Sequence, residues 1–224
     1  MRNRWVAVNR VLKVLVDSIC KVDSGQFYKT LSHNKPMIVA MNHINFLDVP
    51  TIVSHAYPVQ MTGLAKRETW KNPIFSYCFD AYRAIPIDRN GSFREAFRKV
   101  QDAINSGYFV IIAPEGTRSK NGVLGQGKAG IVNLAIESNV PVLPVVHYGG
   151  EHFWNNIRRF KRTPIYFKAG RPFIIKTEGR PDKKSREKIL NEIMGQMAIL
   201  LPEELRGSHK EHAKEECLFL EFIK

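Results

Sequence analysis

A histidine and an aspartate lie five residues apart just after an apolar run. The stretch MNHINFLD carries His43 and Asp48 and follows the run MIVAM at residues 37–41. In a continuous helix, residues five apart point about 140° away from each other. The two side chains can meet if His43 occupies a turn and Asp48 lies in the first turn of the next helix. Asn45 is predicted as the N-cap of that helix, and Pro50 is tolerated near its start.

Such a pair is suited to proton transfer. An aspartate that accepts a hydrogen bond from one imidazole nitrogen leaves the other nitrogen as an acceptor, free to remove a proton. A strand that ends in a turn before a helix is also where open α/β sheets place their active sites. For an isolated histidine, a capping or core role is the alternative interpretation, and a second cluster of polar residues is needed to disfavour it.

The second cluster is APEGTRS, residues 113–119, which follows the apolar run FVII. Gly116 permits a sharp turn. The planar guanidinium of Arg118 is suited to binding phosphate. Glu115 could orient Arg118 or a substrate hydroxyl. Because this cluster also follows an apolar strand-like run, we expect it at the same edge of the sheet as His43.

Two further motifs are weaker. GQGKAG at residues 125–130 places Lys128 and backbone N–H groups before an apolar helix, a combination that favours an anion. Its spacing differs from that of a Walker loop. IPIDRN at residues 85–90 places Arg89 after a short apolar stretch. Taken alone, Arg89 is interpreted as a surface arginine.

Together these stretches resemble the four ordered blocks of the glycerolipid acyltransferases, which include the 1-acylglycerol-3-phosphate acyltransferases of phospholipid synthesis. NHINFLD resembles the first block, IPIDR the second, PEGTRS the third, and VPVLPV at residues 140–145 the fourth. The resemblance covers roughly residues 36–150. One difference is Ala84, where family members commonly carry a glycine just before the second block, and it affects the expected shape of the acceptor or acyl site.

The resemblance implies transfer of a fatty acyl group from a thioester, on coenzyme A or acyl carrier protein, to a glycerol hydroxyl. His43 would be the general base, and Asp48 would hold its imidazole and stabilise the cation. The resemblance implies neither a metal nor a redox cofactor. The implied substrate-binding residues are Glu115, Gly116, Thr117, Arg118, Arg89 and Lys128.

The favoured acceptor is 1-acylglycerol 3-phosphate, which would give phosphatidate. The same chemistry on glycerol 3-phosphate, another lysophospholipid or a lyso-ornithine lipid remains an alternative. His147 and His152 lie near the fourth block, but no carboxylate spacing there is typical of a metal site. We interpret both histidines as structural or surface residues.

The net charge of +13 comes from 34 basic and 21 acidic residues. A surplus of this size attracts anionic partners of several kinds. Residues 151–188 contain twelve Lys or Arg and four Asp or Glu, with aromatic residues interleaved, but no nucleic-acid-binding motif accompanies them. The expected partners are acyl-CoA or acyl carrier protein, a lysophospholipid and an anionic membrane surface, and not nucleic acid. A basic peripheral membrane or nucleic-acid binding module without chemistry is the non-enzymatic alternative.

Alternating strand-like and helix-like runs predict an α/β fold with a mostly parallel central sheet flanked by helices. Residues 36–224 are expected to form this domain. The strand-like runs are 37–41, 59–65, 109–113, 142–147 and 165–169, and the helix-like runs lie near 47–56, 73–82, 92–105, 127–138 and 184–200. The three cysteines are far apart and include no CxxC pair, so they predict neither a disulfide framework nor a zinc site.

Residues 1–35 are expected to be an N-terminal amphipathic helical segment that associates with membranes. Residues 4–20 show helical periodicity with a wide apolar face. That face could equally pack on the core or lie in a membrane interface. No run of about 20 apolar residues predicts a transmembrane helix, and no cleavage site indicates a signal peptide. Because long acyl chains are poorly soluble, we expect the cytoplasmic face of the membrane, with peripheral or monotopic attachment.

Overall fold

The computed structural model describes residues 2–33, 35–87, 93–214 and 216–223, which form alternating strands and helices. The helices are α1 (Arg2–Ile19), α2 (Gly25–His33), α3 (Asp48–His55), α4 (Pro73–Ala81), α5 (Phe93–Asn105), α6 (Gly130–Ser138), α7 (Phe153–Ile157) and α8 (Lys183–Leu200). The strands are β1 (Cys20–Asp23), β2 (Ile38–Met41), β3 (Met61–Lys66), β4 (Ile85–Ile87), β5 (Phe109–Ile112), β6 (Val142–Tyr148), β7 (Thr163–Ala169), β8 (Phe173–Ile175) and β9 (Leu220–Phe222).

The strands form one sheet in the order β1-β7-β6-β2-β5-β3-β4, with β8 added beside β6 and β9 beside β8. The centre of the sheet is parallel, because β2 pairs in parallel with both β5 and β6, and β3 pairs in parallel with β5 and β4. Antiparallel pairing begins where β7 and β8 join β6. The predicted α/β fold with a mostly parallel sheet flanked by helices is confirmed.

Two hydrophobic cores lie on the opposite faces of the sheet. Successive side chains of a strand point to opposite faces. In β2, Val39 and Met41 belong to one core and Ile38 and Ala40 to the other. All four residues are buried. Burial on both faces explains why the central strands are continuous apolar runs instead of alternating patterns.

Helix α1 packs one side on the protein and exposes another apolar side. Val8 and Val16 are buried in the core beside α3 and α4. Val11, Val14 and Leu15 are instead 59%, 69% and 55% exposed. The helix is thus apolar on two sides, and only one of them is needed for packing. No helix among the described residues is long and apolar enough to cross a bilayer.

The predicted runs overlap the observed elements, but several short elements were not predicted. These are α7, β1, β4, β8 and β9, all with five residues or fewer. Strand β1 lies inside the N-terminal segment that was expected to be helical, and it pairs with β7 at the edge of the sheet. Such short edge strands have few buried side chains, and so they leave little periodic signal in the sequence.

Candidate active site

His43 and Asp48 meet in the turn that joins β2 to α3. His43 Nδ1 lies 2.7 Å from Asp48 Oδ2. The same oxygen accepts the backbone N–H groups of Ile44, at 2.6 Å, and Asn45, at 3.0 Å. The turn therefore wraps its backbone donors around the carboxylate. Asp48 is the first residue of α3, so it lies in the first turn of that helix, as expected.

Asn45 does not cap α3, and that prediction was wrong. The N-cap position belongs to Leu47, which makes no side-chain capping bond. Asn45 Oδ1 instead accepts the backbone N–H of Leu47 at 2.8 Å, and its Nδ2 donates to the carbonyl of Gly150 at 2.7 Å. The backbone N–H of Asn45 itself donates to the carboxylate of Asp48. Asn45 thus connects the turn to the loop after β6.

A second imidazole approaches Asp48 from β6. His147 is 1% exposed, and its Nε2 lies 3.5 Å from Asp48 Oδ2 and 3.2 Å from the carbonyl of Asn42. Burial alone would raise the pKa of Asp48. The interactions with His147, and with His43, overcome that effect and lower the pKa of Asp48 to about 2. Asp48 is therefore held as an anion.

The interpretation of His147 as a structural or surface residue is corrected in one respect, because the side chain is buried against Asp48. The sequence carried a signal for this burial. Side chains alternate between the two faces along β6, and His147 shares a face with Leu143 and Val145, which belong to the core. The backbone at His147 is also fixed. Asn42 Nδ2 donates to the carbonyl of His147, and the N–H of His147 donates to Asn42 Oδ1, both at 2.9 Å.

Glu115 connects the two predicted clusters through the backbone. Its Oε1 accepts the N–H of His43 at 2.9 Å, and its Oε2 accepts the N–H of Gly125 at 2.8 Å. The N–H of Ser119 donates in turn to the carbonyl of His43 at 2.8 Å. Glu115 is 2% exposed, and this burial raises the pKa of its carboxyl even though both hydrogen bonds oppose the shift. The expectation that Glu115 orients Arg118 or a substrate hydroxyl does not match these contacts.

Arg118 lies against the open nitrogen of His43. Its Nε donates to His43 Nε2 across 3.4 Å, which is a long hydrogen bond. Because a guanidinium can only donate, Nε2 is the acceptor, and the proton of the neutral imidazole is assigned to Nδ1, facing Asp48. The unprotonated nitrogen of His43 is thus on the exposed side, next to a cation.

Three of the other predicted binding residues, Gly116, Thr117 and Lys128, lie between β5 and α6, in the same loop as Arg118. Gly116, Thr117 and Lys128 are exposed. Gly116 has φ +65°, and a Cβ added there would lie 3.0 Å from Lys128 Nζ, so the ammonium group covers the turn closely. The backbone N–H of Lys128 also donates to the carbonyl of Pro114 at 2.9 Å. Arg89 lies outside the described residues. Among those that are described, no cluster of His, Cys, Asp or Glu could hold a metal ion.

Comparisons with known proteins identify the family of this chain. The family model described as Acyltransferase matches residues 25–148. A 1-acyl-sn-glycerol-3-phosphate acyltransferase of Cocos nucifera is 28% identical over 182 residues, which is 78% of this chain and 56% of the relative. The enzyme of the same name from Limnanthes douglasii is 31% identical over 141 residues, 60% of this chain and 49% of the relative. The chain thus spans about half the length of these curated relatives.

A solved structure has the same fold. The crystal structure of the 1-acyl-sn-glycerophosphate (LPA) acyltransferase PlsC from Thermotoga maritima matches with a TM-score of 0.61 and 23% identity, over 91% of this chain and 80% of that one. At this identity the match concerns the fold alone. The family model, however, covers more than half of the 224 residues. It includes both loops that meet at His43, which we call the first loop (residues 42–47) and the second loop (residues 113–129). The chain therefore belongs to the acyltransferase family.

Proposed function

We propose that this protein transfers a fatty acyl group from an acyl thioester to the free hydroxyl of 1-acylglycerol 3-phosphate, which gives phosphatidate. The observation that carries the proposal is the surroundings of the two nitrogens of His43. Nδ1 contacts the buried anion of Asp48, and Nε2 lies beside Arg118. A base and a cation suited to phosphate are thus adjacent, as an acceptor with a hydroxyl and a phosphate monoester would require.

In the proposed reaction the acceptor hydroxyl replaces Arg118 Nε at His43 Nε2. That nitrogen removes the hydroxyl proton while the oxygen attacks the carbonyl carbon of the thioester, and a C–O bond forms. The tetrahedral intermediate then collapses, the C–S bond breaks, and the leaving thiolate takes the proton from Nε2. Asp48 stabilises the imidazolium between the two steps, which is the role of the aspartate in a Ser-His-Asp triad, with the substrate alcohol in place of serine.

The acceptor phosphate would bind the basic residues of the second loop. A phosphate monoester carries close to two negative charges near neutral pH. Arg118 can contact it with two parallel hydrogen bonds, and the ammonium of Lys128, at the Gly116 turn, adds a second positive charge. Thr117, which precedes Arg118, is also exposed. The names of the similar proteins from Cocos nucifera and Limnanthes douglasii support the same acceptor.

The proposed location is the cytoplasmic face of an anionic membrane, with peripheral or monotopic attachment. Both the acceptor and the product carry long acyl chains, which remain in the bilayer. The exposed apolar side of α1, formed by Val11, Val14 and Leu15, would lie in the interface. The net charge of +13 would strengthen attachment to anionic lipid and would also attract coenzyme A or an acidic carrier protein as the donor.

The test is an acyl-transfer assay of the wild type with acyl-CoA and with acyl carrier protein. The acceptors are lysophosphatidate, glycerol 3-phosphate, lysophosphatidylcholine and a lyso-ornithine lipid. We expect the highest kcat/KM with lysophosphatidate. His43→Ala should lower kcat by about 10²–10⁴-fold while the protein stays folded. His152→Ala is the matched control, because that imidazole is exposed and its ion pair among the described residues is with Glu151. Near-normal turnover by folded His43→Ala would refute the mechanism, and a better acceptor would replace the proposed one.

A further inference from the structure

The turn between α7 and β7, residues 158–162 with the sequence RRFKR, displays a phenylalanine in an unusual way. Phe160 is 99% exposed, and its φ is +53°. A positive φ is uncommon for a bulky residue, and an exposed ring gains nothing from burial. The turn is nevertheless fixed, because the N–H of Phe160 donates to the carbonyl of Ile157 and the N–H of Lys161 donates to that of Asn156. The backbone thus holds the ring away from the protein.

Free cations flank this ring on both sides. Arg158, Arg159 and Lys161 are exposed, and within the described ranges none of them forms an ion pair or a side-chain hydrogen bond. Arg162 behaves differently, because its Nε and Nη2 donate to the carbonyl of Cys20 at 3.0 and 2.7 Å. That contact fastens the turn to the junction of α1 and β1. Phe160 therefore stands among three unpaired positive charges on an anchored turn.

Two further exposed aromatic rings contact each other, one on the helix that precedes this turn and one in the active-site turn. Trp154, on α7, is 58% exposed, and Phe46 is 45% exposed. Their ring centroids are 5.8 Å apart. Phe46 belongs to the turn that carries His43 and Asp48. Tryptophan and phenylalanine rings that reach solvent beside cations are typical of surfaces that contact a membrane interface.

We propose that the basic turn at residues 158–162 is a second membrane contact, which inserts Phe160 among the headgroups of an anionic bilayer. Arg158, Arg159 and Lys161 bind lipid phosphates, and Trp154 lies in the same interface beside the mouth of the active site. The occupant is a bilayer because the three cations complement anionic headgroups and the Phe160 ring is 99% exposed to solvent. The inference rests on the proposed membrane association of the enzyme and adds a surface separate from α1.

The experiment measures sedimentation of the full-length chain with vesicles in the absence of acyl donor and acceptor. Vesicles of phosphatidylcholine mixed with phosphatidylglycerol are compared with vesicles of phosphatidylcholine alone. Phe160→Asn removes the ring while asparagine tolerates the positive φ, so the fold is preserved. It should weaken binding to the mixed vesicles by about 10-fold, as expected for a largely buried ring. Replacing Arg158, Arg159 and Lys161 by Gln together should weaken it by about 100-fold, because each basic residue near an anionic surface contributes about 5-fold.

The matched control replaces Lys183, Lys184 and Lys188 by Gln. These lysines are exposed on α8, and the change also removes three positive charges. The control should bind the mixed vesicles much more tightly than the variant of the turn. Equal losses in the two triple variants would show that only total charge matters and would overturn the proposal. Wild-type binding by Phe160→Asn would also overturn it.

Two further outcomes are informative about the partner. If the turn variants bind vesicles normally but raise the KM for acyl carrier protein as the donor, the turn docks that acidic protein, and the bilayer proposal is overturned. If the wild type fails to bind the mixed vesicles, both membrane contacts are refuted. Because vesicle binding is measured without substrates, acyl transfer can succeed or fail independently of these results.

Discussion

The carboxylate of Glu115 holds the backbone N–H of His43, at 2.9 Å, across 72 residues of sequence. The carbonyl of His43 is held as well, by the N–H of Ser119. The main chain on both sides of the imidazole is thus fixed to the second loop, and the ring itself is fixed by Asp48. These two backbone contacts, which we call the His43 brace, give a physical reason for the occurrence of NHINFLD and PEGTRS in one chain, because the PEGTRS loop sets the position of His43.

Glu115→Gln should therefore reduce both stability and turnover. An amide has only one acceptor oxygen. The backbone N–H of either His43 or Gly125 would therefore lose its acceptor and face the NH₂ group of the glutamine. A buried unsatisfied N–H costs about 1–3 kcal/mol. We expect the free energy of unfolding to fall by that amount in urea titrations, with kcat reduced and KM for the acceptor little changed. Glu151→Gln, which changes a carboxylate outside the His43 brace, is the control. Unchanged stability and turnover in Glu115→Gln would contradict the brace.

The pKa of Asp48 predicts a loss of stability in acid. The folded value of about 2 lies below the ordinary value of 3.8, so the ionised carboxylate stabilises the fold above pH 3.8. That contribution is lost as the pH falls through 3.8 towards about 2. It corresponds to about 2 kcal/mol. Urea titrations of the wild type over this interval should show a fall in unfolding free energy that Asp48→Asn lacks. Equal pH dependence of the two proteins would show that Asp48 is not a stabilised anion.

The local parts of the site could be predicted from the sequence, and the long-range parts could not. The meeting of His43 with Asp48 follows from their spacing after a buried strand, since five residues suffice to form the turn. The contacts of Glu115 with the N–H groups of His43 and Gly125 were not predicted, because backbone groups of other segments carry no residue-specific signal. The same holds for β1, whose four residues become a strand only through pairing with β7.

His147 was interpreted from the sequence as a structural or surface residue. The next prediction tests whether its imidazole positions Asp48. His147→Leu removes the N–H that Nε2 can direct at Asp48 and should lower kcat by about 10-fold, as expected for one buried hydrogen bond. His147→Gln retains an N–H donor and should recover most of that loss. The loss of unfolding free energy between pH 3.8 and about 2 should also be smaller in His147→Leu, because the imidazole helps to lower the pKa of Asp48. A purely space-filling role of His147 would not predict this change. Wild-type kcat in His147→Leu would exclude the second imidazole from the site.

The exposed side of α1 can be tested without removing the helix. Deletion of residues 1–21 would also remove the buried Val8 and Val16 and part of β1. Replacing Val11, Val14 and Leu15 by Gln leaves the packed side intact. We expect binding to vesicles with anionic lipid to weaken by at least about 10-fold, because apolar area no longer enters the interface, while the melting temperature is nearly unchanged. Leu218→Gln, at a side chain 76% exposed elsewhere, is the control. Equal sedimentation of the triple variant and the wild type would assign α1 to core packing alone.

The last prediction concerns how the acceptor is selected. Arg118 donates to His43 Nε2 and remains exposed, so its guanidinium can turn from the base to an incoming phosphate. A monoester offers close to two charges to this group, whereas the single charge and bulky headgroup of lysophosphatidylcholine fit it poorly. Lysophosphatidate should therefore be the better acceptor. The preference should depend on Arg118, because lysine cannot form the same two parallel hydrogen bonds.

Arg118→Lys should accordingly raise the KM for lysophosphatidate and leave the KM of the donor nearly unchanged. A hydrogen bond to a charged group contributes about 1.5–3 kcal/mol, so kcat/KM should fall by about 10- to 150-fold. Arg180→Lys is the matched control, because Arg180 is exposed in the turn before α8. Steady-state kinetics with each acceptor and donor separate the possibilities. A rise in the donor KM instead would mean that Arg118 binds the phosphates of coenzyme A, and the acceptor phosphate would then have to contact Lys128 or a residue outside the two loops.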